Sequence, residues 1–488
     1  MSSIRKSFVL SFIEKYVVLL VQVATSLIIA RLLSPSEIGV FSVGAALIGL
    51  AHTLRDFGVA NYVIQEPNLT KEKIKAAFGL TLASAWTIAA MLYLFRDLAA
   101  DFYDDPRLRE VILVLSCNFV TIPFSSIIMA LLRRNMKFGR ICTINTLSTL
   151  VQSGVSIFLA VKGVGFMSLA WGGLAGVGTT VLTANILRTG QSYIGFSWRH
   201  FNQVFSFSGK STAASFAAEV GETAPDLIIG RVLGFHDVGI FGRANGLVLL
   251  VDKMISQAIR PLVLPYLAQE RRTSNRVDKA YFRISRLHLA IAWPFLAFLG
   301  LSAHPIINVL YGSAWIAAAP IAETLTVAMA CRSLNYITVA TLLAVGSPGN
   351  LMLLQMVYQS IKVICLLAGA IGGLLNVALL LILGELIGAI LFAWAVKRTL
   401  GPEIRIKSFF AVGFEGLFLT ALSTGPLALA MDDLKENIAV DWQYLITAGS
   451  IVAVSWLMTI YLCKHPVTTE INLFISKLRG IALPGFPK

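Results

Sequence analysis

Charged side chains are scarce in this sequence, and their scarcity excludes an ordinary soluble protein. Only 14% of the 488 residues are Asp, Glu, Lys or Arg, whereas 56% are hydrophobic. A typical soluble domain carries about 25% charged residues, which help to cover its surface. The chain lacks the charge that it would need to face water on all sides, and we expect an integral membrane protein.

Cysteine and histidine are also few, and they are not arranged as ligands. None of the cysteines forms a CxxC pair, and all five lie in or at the ends of apolar runs. Small buried cysteines of this kind indicate neither disulfides nor a metal site. The histidines show no metal-ligand spacing, and no motif pairs a nucleophile with a base. We therefore expect no metal, no cofactor and no enzymatic activity.

Long polar segments are missing, because apolar runs recur along the whole chain. Each run has about 20 residues and can cross a ~30 Å hydrocarbon layer as a helix. Lipid offers no hydrogen-bond partners, and the short alternating segments of a β-barrel are absent from the sequence. Fourteen spans are predicted, at about residues 9–32, 38–59, 76–95, 110–132, 142–162, 165–187, 211–233, 238–262, 284–303, 317–338, 351–371, 374–396, 408–431 and 443–463.

The net charge of +14 follows the membrane topology and does not indicate nucleic-acid binding. With the N-terminus inside, the five inside connections hold 3, 4, 3, 6 and 4 Lys and Arg residues, and the outside connections are acidic or nearly uncharged. Short basic loops lie on the cytoplasmic side. We therefore expect both termini in the cytoplasm, and we interpret the start "MSSIRKSFVL" as part of a retained first span.

Two similar stretches lie two hundred residues apart. "LIIARLLSPSEIGVFSV" starts at Leu27 and "LIIGRVLGFHDVGIFGR" starts at Leu227, and nine of the 26 positions aligned around them are identical. The identities include an arginine, a glycine and a phenylalanine near the turn, which chance similarity of two apolar helices explains poorly. A second pair, "LASAW" and "LAIAW", is offset by 207 residues. We infer a duplication.

The duplication predicts the architecture. Spans one and two correspond to spans seven and eight, so the repeating unit has six helices and both copies cross in the same direction. Parallel repeats of this kind place a substrate path between them. We expect an all-α integral membrane protein with about fourteen transmembrane helices. Residues 1–190 would form a six-helix lobe, residues 191–400 a second one, and residues 401–488 two additional helices with a cytoplasmic tail.

Ionisable side chains inside the spans indicate the path, because a charge inside a bilayer is costly. Lys253 and Arg260 lie seven residues apart, on one face of span eight. Span seven carries three acids at spacings of three and four, which would repel one another without cations, protons or water. The predicted substrate-binding cations are Lys15, Arg55, Arg243, Lys253 and Arg260. The acids predicted to balance charge or bind a coupling ion are Glu14, Glu219, Glu222, Asp226 and Asp252.

A structural explanation competes with this interpretation. The same side chains could form internal ion pairs or reach the interface from helix ends. We favour that explanation for Arg31 and Arg231, which lie close to their turns, and both explanations stay open for spans seven and eight. Other spans carry ionisable residues for which we expect pairing; these are Glu323, Arg332, Lys362, Glu385 and Glu415.

Four stretches of the sequence are distinctive, and they read "ARLLSPSEIGVFSVGAAL", "LRDFGVANYVIQEP", "LLRRNMKFGRI" and "VLYGSAWIAAAPIAETL". They resemble the polysaccharide transporter family, the Wzx-like oligosaccharide flippases of the multidrug/oligosaccharidyl-lipid/polysaccharide exporter superfamily, and the resemblance is most specific in the first 145 residues. It implies two six-helix lobes plus two extra helices. It also implies a flippase that moves an undecaprenyl-pyrophosphate-linked oligosaccharide across the bacterial inner membrane by alternating access, for exopolysaccharide, capsule or O-antigen assembly.

The resemblance also implies partners. These are the lipid-linked oligosaccharide and membrane lipid, with a polysaccharide polymerase and chain-length machinery as further candidates. The predicted cations would meet the pyrophosphate, and the two extra helices would form a groove for the polyprenyl tail. No motif of the family fixes individual site residues, so the residues named above rest on charge and position.

Two other functions compete with the flippase. A cation-coupled drug or metabolite exporter of the same superfamily would have twelve spans and a sparse acidic site. A membrane-embedded glycosyltransferase or polymerase would need a large outside loop with acids or arginines. The longest outside connection here is near "RDLAADFYDDPRLRE", which is too short for such a domain.

Overall fold

The computed structural model describes residues 2–56, 58–188, 195, 197, 216, 219–273, 276–401, 405–438 and 440–478. The side chains of residues 2–13, 56, 256–262, 348, 432, 435–437, 474–475 and 477–478 lie outside this description. Within the described ranges all regular structure is helical, so the predicted all-α membrane fold is confirmed. The chain forms two compact units, Met1–Gly242 (unit 1) and Arg243–Lys488 (unit 2).

Unit 1 contains nine helices and the start of a tenth, among its described residues. They are α1 Ser2–Leu32, α2 Pro35–Asp56, α3 Val59–Gln65, α4 Lys71–Phe102, α5 Arg107–Thr121, α6 Pro123–Arg134, α7 Phe138–Val161, α8 Met167–Ile186, α9 219–232 and the first residues of α10 Phe235–Thr273. Proline suits the first turn of a helix because its fixed backbone angle is helical and it has no amide to satisfy. Pro35 and Pro123 begin α2 and α6 in this way.

The core of unit 1 joins helices that are far apart in sequence. Val63 of α3, Ala77 of α4, Ile128 of α6, Ile144 of α7 and Ala184 of α8 are buried together in one cluster. α7 packs along α8, and α1 packs along α7. The apolar spans therefore fold into one bundle that holds α1, α2 and their connecting turn in place.

Unit 2 continues α10 and adds nine further α-helices, counted over its described residues. They are α11 Val277–Leu301, α12 Ala303–Tyr311, α13 Ala319–Ser333, α14 Thr338–Ala344, α15 Pro348–Ile371, α16 Leu374–Leu400, α17 Ile406–Asn437, α18 Asp441–Leu462 and α19 Pro466–Leu478, with a 3-10 helix at Ser313–Ala318. α11 packs against α13 and α17, α16 packs against α13 and α15, and α17 pairs with α18. α11 thereby joins the helices before it to the two additional helices.

Twelve of the fourteen predicted spans have a counterpart among the described residues. Eleven helical segments are long and apolar enough to cross a membrane, and the pair α5 and α6, bent by 54° at Pro123, adds a twelfth if it is one span. The two remaining predictions are spans seven and eight. Part of span seven lies outside the described residues, and span eight is the 39-residue helix α10, which carries several charges. The count of fourteen stays a prediction.

The predicted connections are shorter in the structure, because the helices continue beyond their apolar centres. α4 ends at Phe102 and α5 begins at Arg107, so the expected "RDLAADFYDDPRLRE" loop is mostly helical. The prediction of a loop at "LSAHP…YGSAW" was wrong for a different reason. It forms α12 and the 3-10 helix, since Ile307 and Trp315 are fully buried and their backbone needs internal hydrogen bonds.

Candidate functional site

The two similar stretches form the same local structure. α1 ends at Leu32 and α2 begins at Pro35, while α9 ends at residue 232 and α10 begins at Phe235. The offset is two hundred residues at both ends of the turn, as the sequence predicts. We call residues 33–35 and 233–235, which include the first residue of the following helix, the two repeated turns. The helix–turn–helix correspondence of spans one and two with spans seven and eight is confirmed.

The glycines that follow the repeated turns pack against the opposite turn in a reciprocal way. A Cβ atom on Gly39 would collide with the carbonyl oxygen of Phe235, and a Cβ atom on Gly239 would collide with the carbonyl oxygen of Pro35. Pro35 and Phe235 are themselves equivalent positions of the repeat. Only glycine lets two backbones approach this closely. The aligned glycines are therefore explained by a contact between the two copies of one motif within unit 1.

The connection between α4 and α5 covers these turns. The Tyr103 hydroxyl donates a hydrogen bond to the carbonyl oxygen of Leu227 at 3.3 Å, and the Tyr103 ring stacks on Phe235. Burial raises the pKa of Tyr103 to about 12, although the nearby Arg231 cation opposes this. Tyr103 therefore remains an uncharged donor at any physiological pH, and it joins α4 to α9.

The arginine that follows α9's apolar stretch forms an ion pair at its turn. Arg231 lies 3.0 Å from Asp104, and the guanidinium stands 5.2 Å above the ring of Phe102. Both charged side chains are largely exposed, at 47% and 77%. The pairing expected for Arg231 is confirmed. An exposed pair of this kind contributes at most about 1 kcal/mol, so it positions the turn more than it stabilises the fold.

The predicted acids of span seven lie on α9, and one of them contacts α2. A Cβ on Gly49 would stand 3.0 Å from the Glu219 carboxylate oxygen Oε1, so the absent side chain of Gly49 leaves room for that carboxylate. Glu222 is exposed and Asp226 is half-buried. The structure thus brings one of the three predicted acids against the helix that also carries Arg55.

The predicted residues of α1 and α2 have different surroundings. Asn145 of α7 donates a hydrogen bond of 2.6 Å to the Glu14 carboxylate, and Lys15 beside it is exposed. Arg55 is buried at the end of α2, where its own carbonyl oxygen accepts a hydrogen bond from Ser84 of α4. Glu14 is therefore fixed by a neutral amide donor, and Lys15 is available to solvent or lipid.

Among the predicted residues of α10, Arg243 contacts aromatic rings, which the sequence did not predict. The Arg243 guanidinium lies 5.5 Å from the ring centre of Tyr311 and 5.1 Å from that of Trp315, both within unit 2. Arginine stacks favourably on aromatic faces. Lys253 is exposed and Asp252 is half-buried, whereas the Arg260 side chain lies outside the described residues. A shared cavity for all ten predicted residues stays a prediction.

One ionic cluster lies in the middle of two spans of unit 2. Lys362 of α15 is 3.7 Å from Glu385 of α16, and the Tyr358 hydroxyl donates a hydrogen bond to the same carboxylate. Both charged side chains are almost fully buried. The pairing expected for Lys362 and Glu385 is confirmed. The tyrosine was missed, although a position four residues before Lys362 places it on the same helical face.

The second pair of similar stretches also makes equivalent contacts. The Trp86 indole N–H donates to the carbonyl oxygen of Val120 at 3.4 Å, and the Trp293 indole N–H donates to that of Ala330 at 3.0 Å. In each copy a tryptophan of one predicted span bonds the backbone of the next span. This correspondence supports the duplication independently of the repeated turns.

The sequence matches one protein family over more than half of the chain. Residues 28–320 match the family described as polysaccharide biosynthesis protein. The chain is 22% identical over 459 residues to the lipopolysaccharide biosynthesis protein WzxC of Escherichia coli (strain K12), covering 91% of each. It is 21% identical over 396 residues to the teichuronic acid biosynthesis protein TuaB of Bacillus subtilis (strain 168), covering 77% of this chain and 80% of TuaB.

Solved structures share the fold at low identity. The lipid II flippase MurJ in an inward closed conformation matches with a TM-score of 0.76 and 14% identity, covering 95% of this chain and 99% of MurJ. An inward-facing multidrug resistance MATE family transporter matches with a TM-score of 0.64 and 17% identity, covering 78% and 94%. The solved structures share the fold alone, whereas the family match and the two relatives confirm the resemblance to Wzx-like proteins. The chain is a multi-pass membrane protein that belongs to the polysaccharide biosynthesis protein family.

Proposed function

We propose that this protein is a flippase for a lipid-linked oligosaccharide. The substrate that we propose is an undecaprenyl-pyrophosphate-linked oligosaccharide, moved across the bacterial inner membrane by alternating access for exopolysaccharide, capsule or O-antigen assembly. A polysaccharide polymerase and chain-length machinery are the protein partners that we expect downstream.

The observation that carries this proposal is the fold shared with a lipid II flippase over 95% of the chain. The shared fold therefore includes α17 and α18, because the uncovered 5% of the chain is too short to contain them. The names of two relatives point to the same class of cargo, since WzxC and TuaB are named for the biosynthesis of lipopolysaccharide and teichuronic acid. We propose that α17 and α18 hold the polyprenyl tail of the substrate.

The charges of the substrate explain why a protein is needed. Moving a single charge of this size out of water has an idealised cost of about 20 kcal/mol, and a pyrophosphate carries more than one. In our proposal Lys15, Lys253 and Arg260 meet the pyrophosphate, with Arg55 and Arg243 as the more buried members of the set. The acids Glu14, Glu219, Glu222, Asp226 and Asp252 balance these cations or carry a coupling ion.

The reciprocal glycine contact supplies a gate for alternating access. Gly39 and Gly239 hold the two repeated turns together in this structure, and Tyr103 covers them. We propose that the turns separate in the alternate state, when the path opens at this end of α1, α2, α9 and α10. The contact at the two glycines joins backbone atoms, and Tyr103 must release its contacts with Leu227 and Phe235 when the turns separate.

A cation-coupled drug exporter of the same superfamily is the alternative. The MATE transporter likeness supports it, but that match covers 78% of the chain. A drug exporter would lower the sensitivity of its host to cationic dyes and would leave polymer output unchanged on deletion. A flippase would leave the sensitivity to dyes unchanged, and its deletion would abolish polymer output.

The test is a deletion strain complemented with variants. Deletion should leave lipid-linked repeat units on the cytoplasmic face of the inner membrane, where they are protected from a glycosidase added to intact spheroplasts. Lys253→Ala and Arg260→Ala should abolish polymer export at normal protein level, since each removes a cation predicted to meet the pyrophosphate.

The matched control is Lys71→Ala, an exposed lysine in the first turn of α4 that belongs to no predicted site. This variant should export normally. Normal polymer output from both Lys253→Ala and Arg260→Ala would reject the assignment of these cations, and an unchanged output in the deletion strain would reject the flippase.

A further inference from the structure

Unit 2 contains a cavity that none of the predicted site residues lines. It has a volume of about 380 Å³ and lies among the first turns of α11, the first turns of α17 and the start of α19. We call it the α11–α17 cavity. Its size is at the lower end of the range found for small-molecule sites, and it is ample for a phosphate group with part of the glycerol or prenyl chain that carries it.

Three cations line the cavity from a single helix. Lys279, Arg283 and Arg286 are spaced by four and three residues, so they lie on one face of α11. Ser408 lines the opposite side, in the first turn of α17, where backbone amides without helical partners point outward. Ammonium, guanidinium and hydroxyl donors around one space form a site suited to an anion.

Acidic residues hold the two arginines in place without using all their donors. Arg283 is 3.0 Å from Glu470 of α19, and Arg286 is 3.1 Å from Glu415 of α17. A guanidinium has five N–H donors, so each arginine retains donors for a further oxygen. Asp278 also lines the cavity. Lys279 is exposed, so its ammonium is available to the cavity.

The position of the cavity at the ends of two candidate spans indicates that its ligand is a lipid. Two candidate spans, Val277–Leu301 and Ile406–Met431, both begin at this cavity. A site at the end of two spans lies at the level of the lipid phosphates. The wall between the cations is apolar, formed by Phe282, Ala411 and Val412. A cationic rim over an apolar wall fits a group that is charged at one end and greasy at the other.

We propose that the α11–α17 cavity binds the phosphate of a membrane lipid. The ligand is either the headgroup of an anionic phospholipid or the phosphate of a polyprenyl carrier, and both present anionic phosphate oxygens to the same donors. With the predicted orientation, in which both termini are cytoplasmic, the site would lie in the cytoplasmic leaflet. Binding there does not depend on the flippase function, and it ties α11 to α17 and α19.

Lipid binding to the purified full-length protein tests this assignment. The midpoint of thermal unfolding in detergent is measured against rising concentrations of dioleoylphosphatidylglycerol, undecaprenyl phosphate or zwitterionic dioleoylphosphatidylcholine, since a ligand of the native state raises the midpoint. Stabilisation by dioleoylphosphatidylglycerol or by undecaprenyl phosphate, at concentrations where phosphatidylcholine has no effect, supports the site. The anionic phospholipid alone identifies bulk lipid, and the polyprenyl phosphate alone identifies the carrier.

Two variants connect that binding to this cavity. Lys279→Glu should weaken the affinity for the anionic lipid about tenfold, which corresponds to about 1.4 kcal/mol. Ala411→Trp fills the apolar side without a change of charge and should weaken it similarly. Lys71→Glu is the matched control, because Lys71 is also an exposed lysine in the first turn of a membrane helix, but it lines no part of this cavity.

The proposal is overturned by either of two results. Equal stabilisation by phosphatidylcholine and the anionic lipids would show that the net negative charge of the lipid is not recognised. Equal affinity of Lys279→Glu, Ala411→Trp and Lys71→Glu for the anionic lipid would place the binding elsewhere. Neither result bears on polymer export, so failure here is distinguishable from failure of the proposed function.

Discussion

Alanine at either aligned glycine tests the reciprocal packing of the repeated turns. A Cβ on Gly39 or Gly239 would overlap a carbonyl oxygen of the opposite turn, at Phe235 or Pro35. The two backbones would have to separate by roughly 1 Å, and overpacking of this kind costs about 1–3 kcal/mol. Alanine also favours the helix over glycine by about 1 kcal/mol, so the net loss of stability is smaller.

A third glycine, in the same helix as Gly239, separates the cost of packing from the helix preference of alanine. Gly242 lies three residues after Gly239 in α10, and a Cβ there would meet open space. Gly242→Ala therefore reports the helix preference alone. The midpoint of thermal unfolding in detergent should fall for Gly39→Ala and Gly239→Ala, and it should stay the same or rise for Gly242→Ala.

The double variant adds a test of reciprocity. Once one methyl group has pushed the turns apart, the second meets less resistance, so Gly39→Ala with Gly239→Ala should lower the midpoint by less than the sum of the single effects. The reasoning is refuted if the two single variants are as stable as Gly242→Ala, because the turns would then not be in contact in the native state.

Two further predictions concern unit 2. Lys362→Met leaves the Glu385 carboxylate buried without its cation and should destabilise the protein by about 3–5 kcal/mol. The double variant Lys362→Met with Glu385→Gln should recover most of the unfolding midpoint, and equal midpoints for the single and double variants would contradict the pairing. Burial lowers the pKa of His465 below its ordinary 6.5, and its Nδ1 accepts a hydrogen bond from the Val467 amide, which requires that nitrogen to be unprotonated. Because the unfolded chain then binds the proton more readily, stability should fall as the pH drops below about 6.5. The midpoint of His465→Gln, measured from pH 7.5 to 5.5, should show less of this dependence, and an unchanged slope would contradict it.

The repeat was predictable because it depends on local sequence. The turn residues, the glycines and the flanking apolar runs of the two stretches align without any knowledge of the fold. The structure adds what alignment cannot contain, namely that Gly39 and Gly239 pack on the opposite turns. Sequence spacing describes neighbours along a helix, and this contact joins positions two hundred residues apart.

Helix extents were predicted less well than helix positions. Hydropathy identifies the part of a helix that lies in hydrocarbon, whereas backbone hydrogen bonding continues past that boundary. α4 therefore runs through the charged residues up to Phe102, and α10 reaches Thr273. The bend at Pro123 was missed for a related reason, since a single proline within a continuous apolar run does not interrupt hydropathy.

The surroundings of the site residues could not be predicted from charge alone. Glu14 meets Asn145 of α7, and Arg243 meets aromatic rings of α12 and the 3-10 helix. Both partners come from distant parts of the chain and are uncharged, so no rule of opposite charge would have found them. By contrast, Lys362 and Glu385 paired as expected, because each needs a counter-charge in the same apolar layer.

Transfer of the proposed substrate in a defined membrane tests the central claim most directly. Purified protein is reconstituted in vesicles that carry an undecaprenyl-pyrophosphate-linked oligosaccharide, and the fraction reached by an external glycosidase is followed over time. We expect vesicles with the protein to expose the inner-leaflet pool, and vesicles with Lys253→Ala to behave like protein-free ones. An inner pool that stays protected in the presence of folded protein, with and without an ion gradient, would contradict the account.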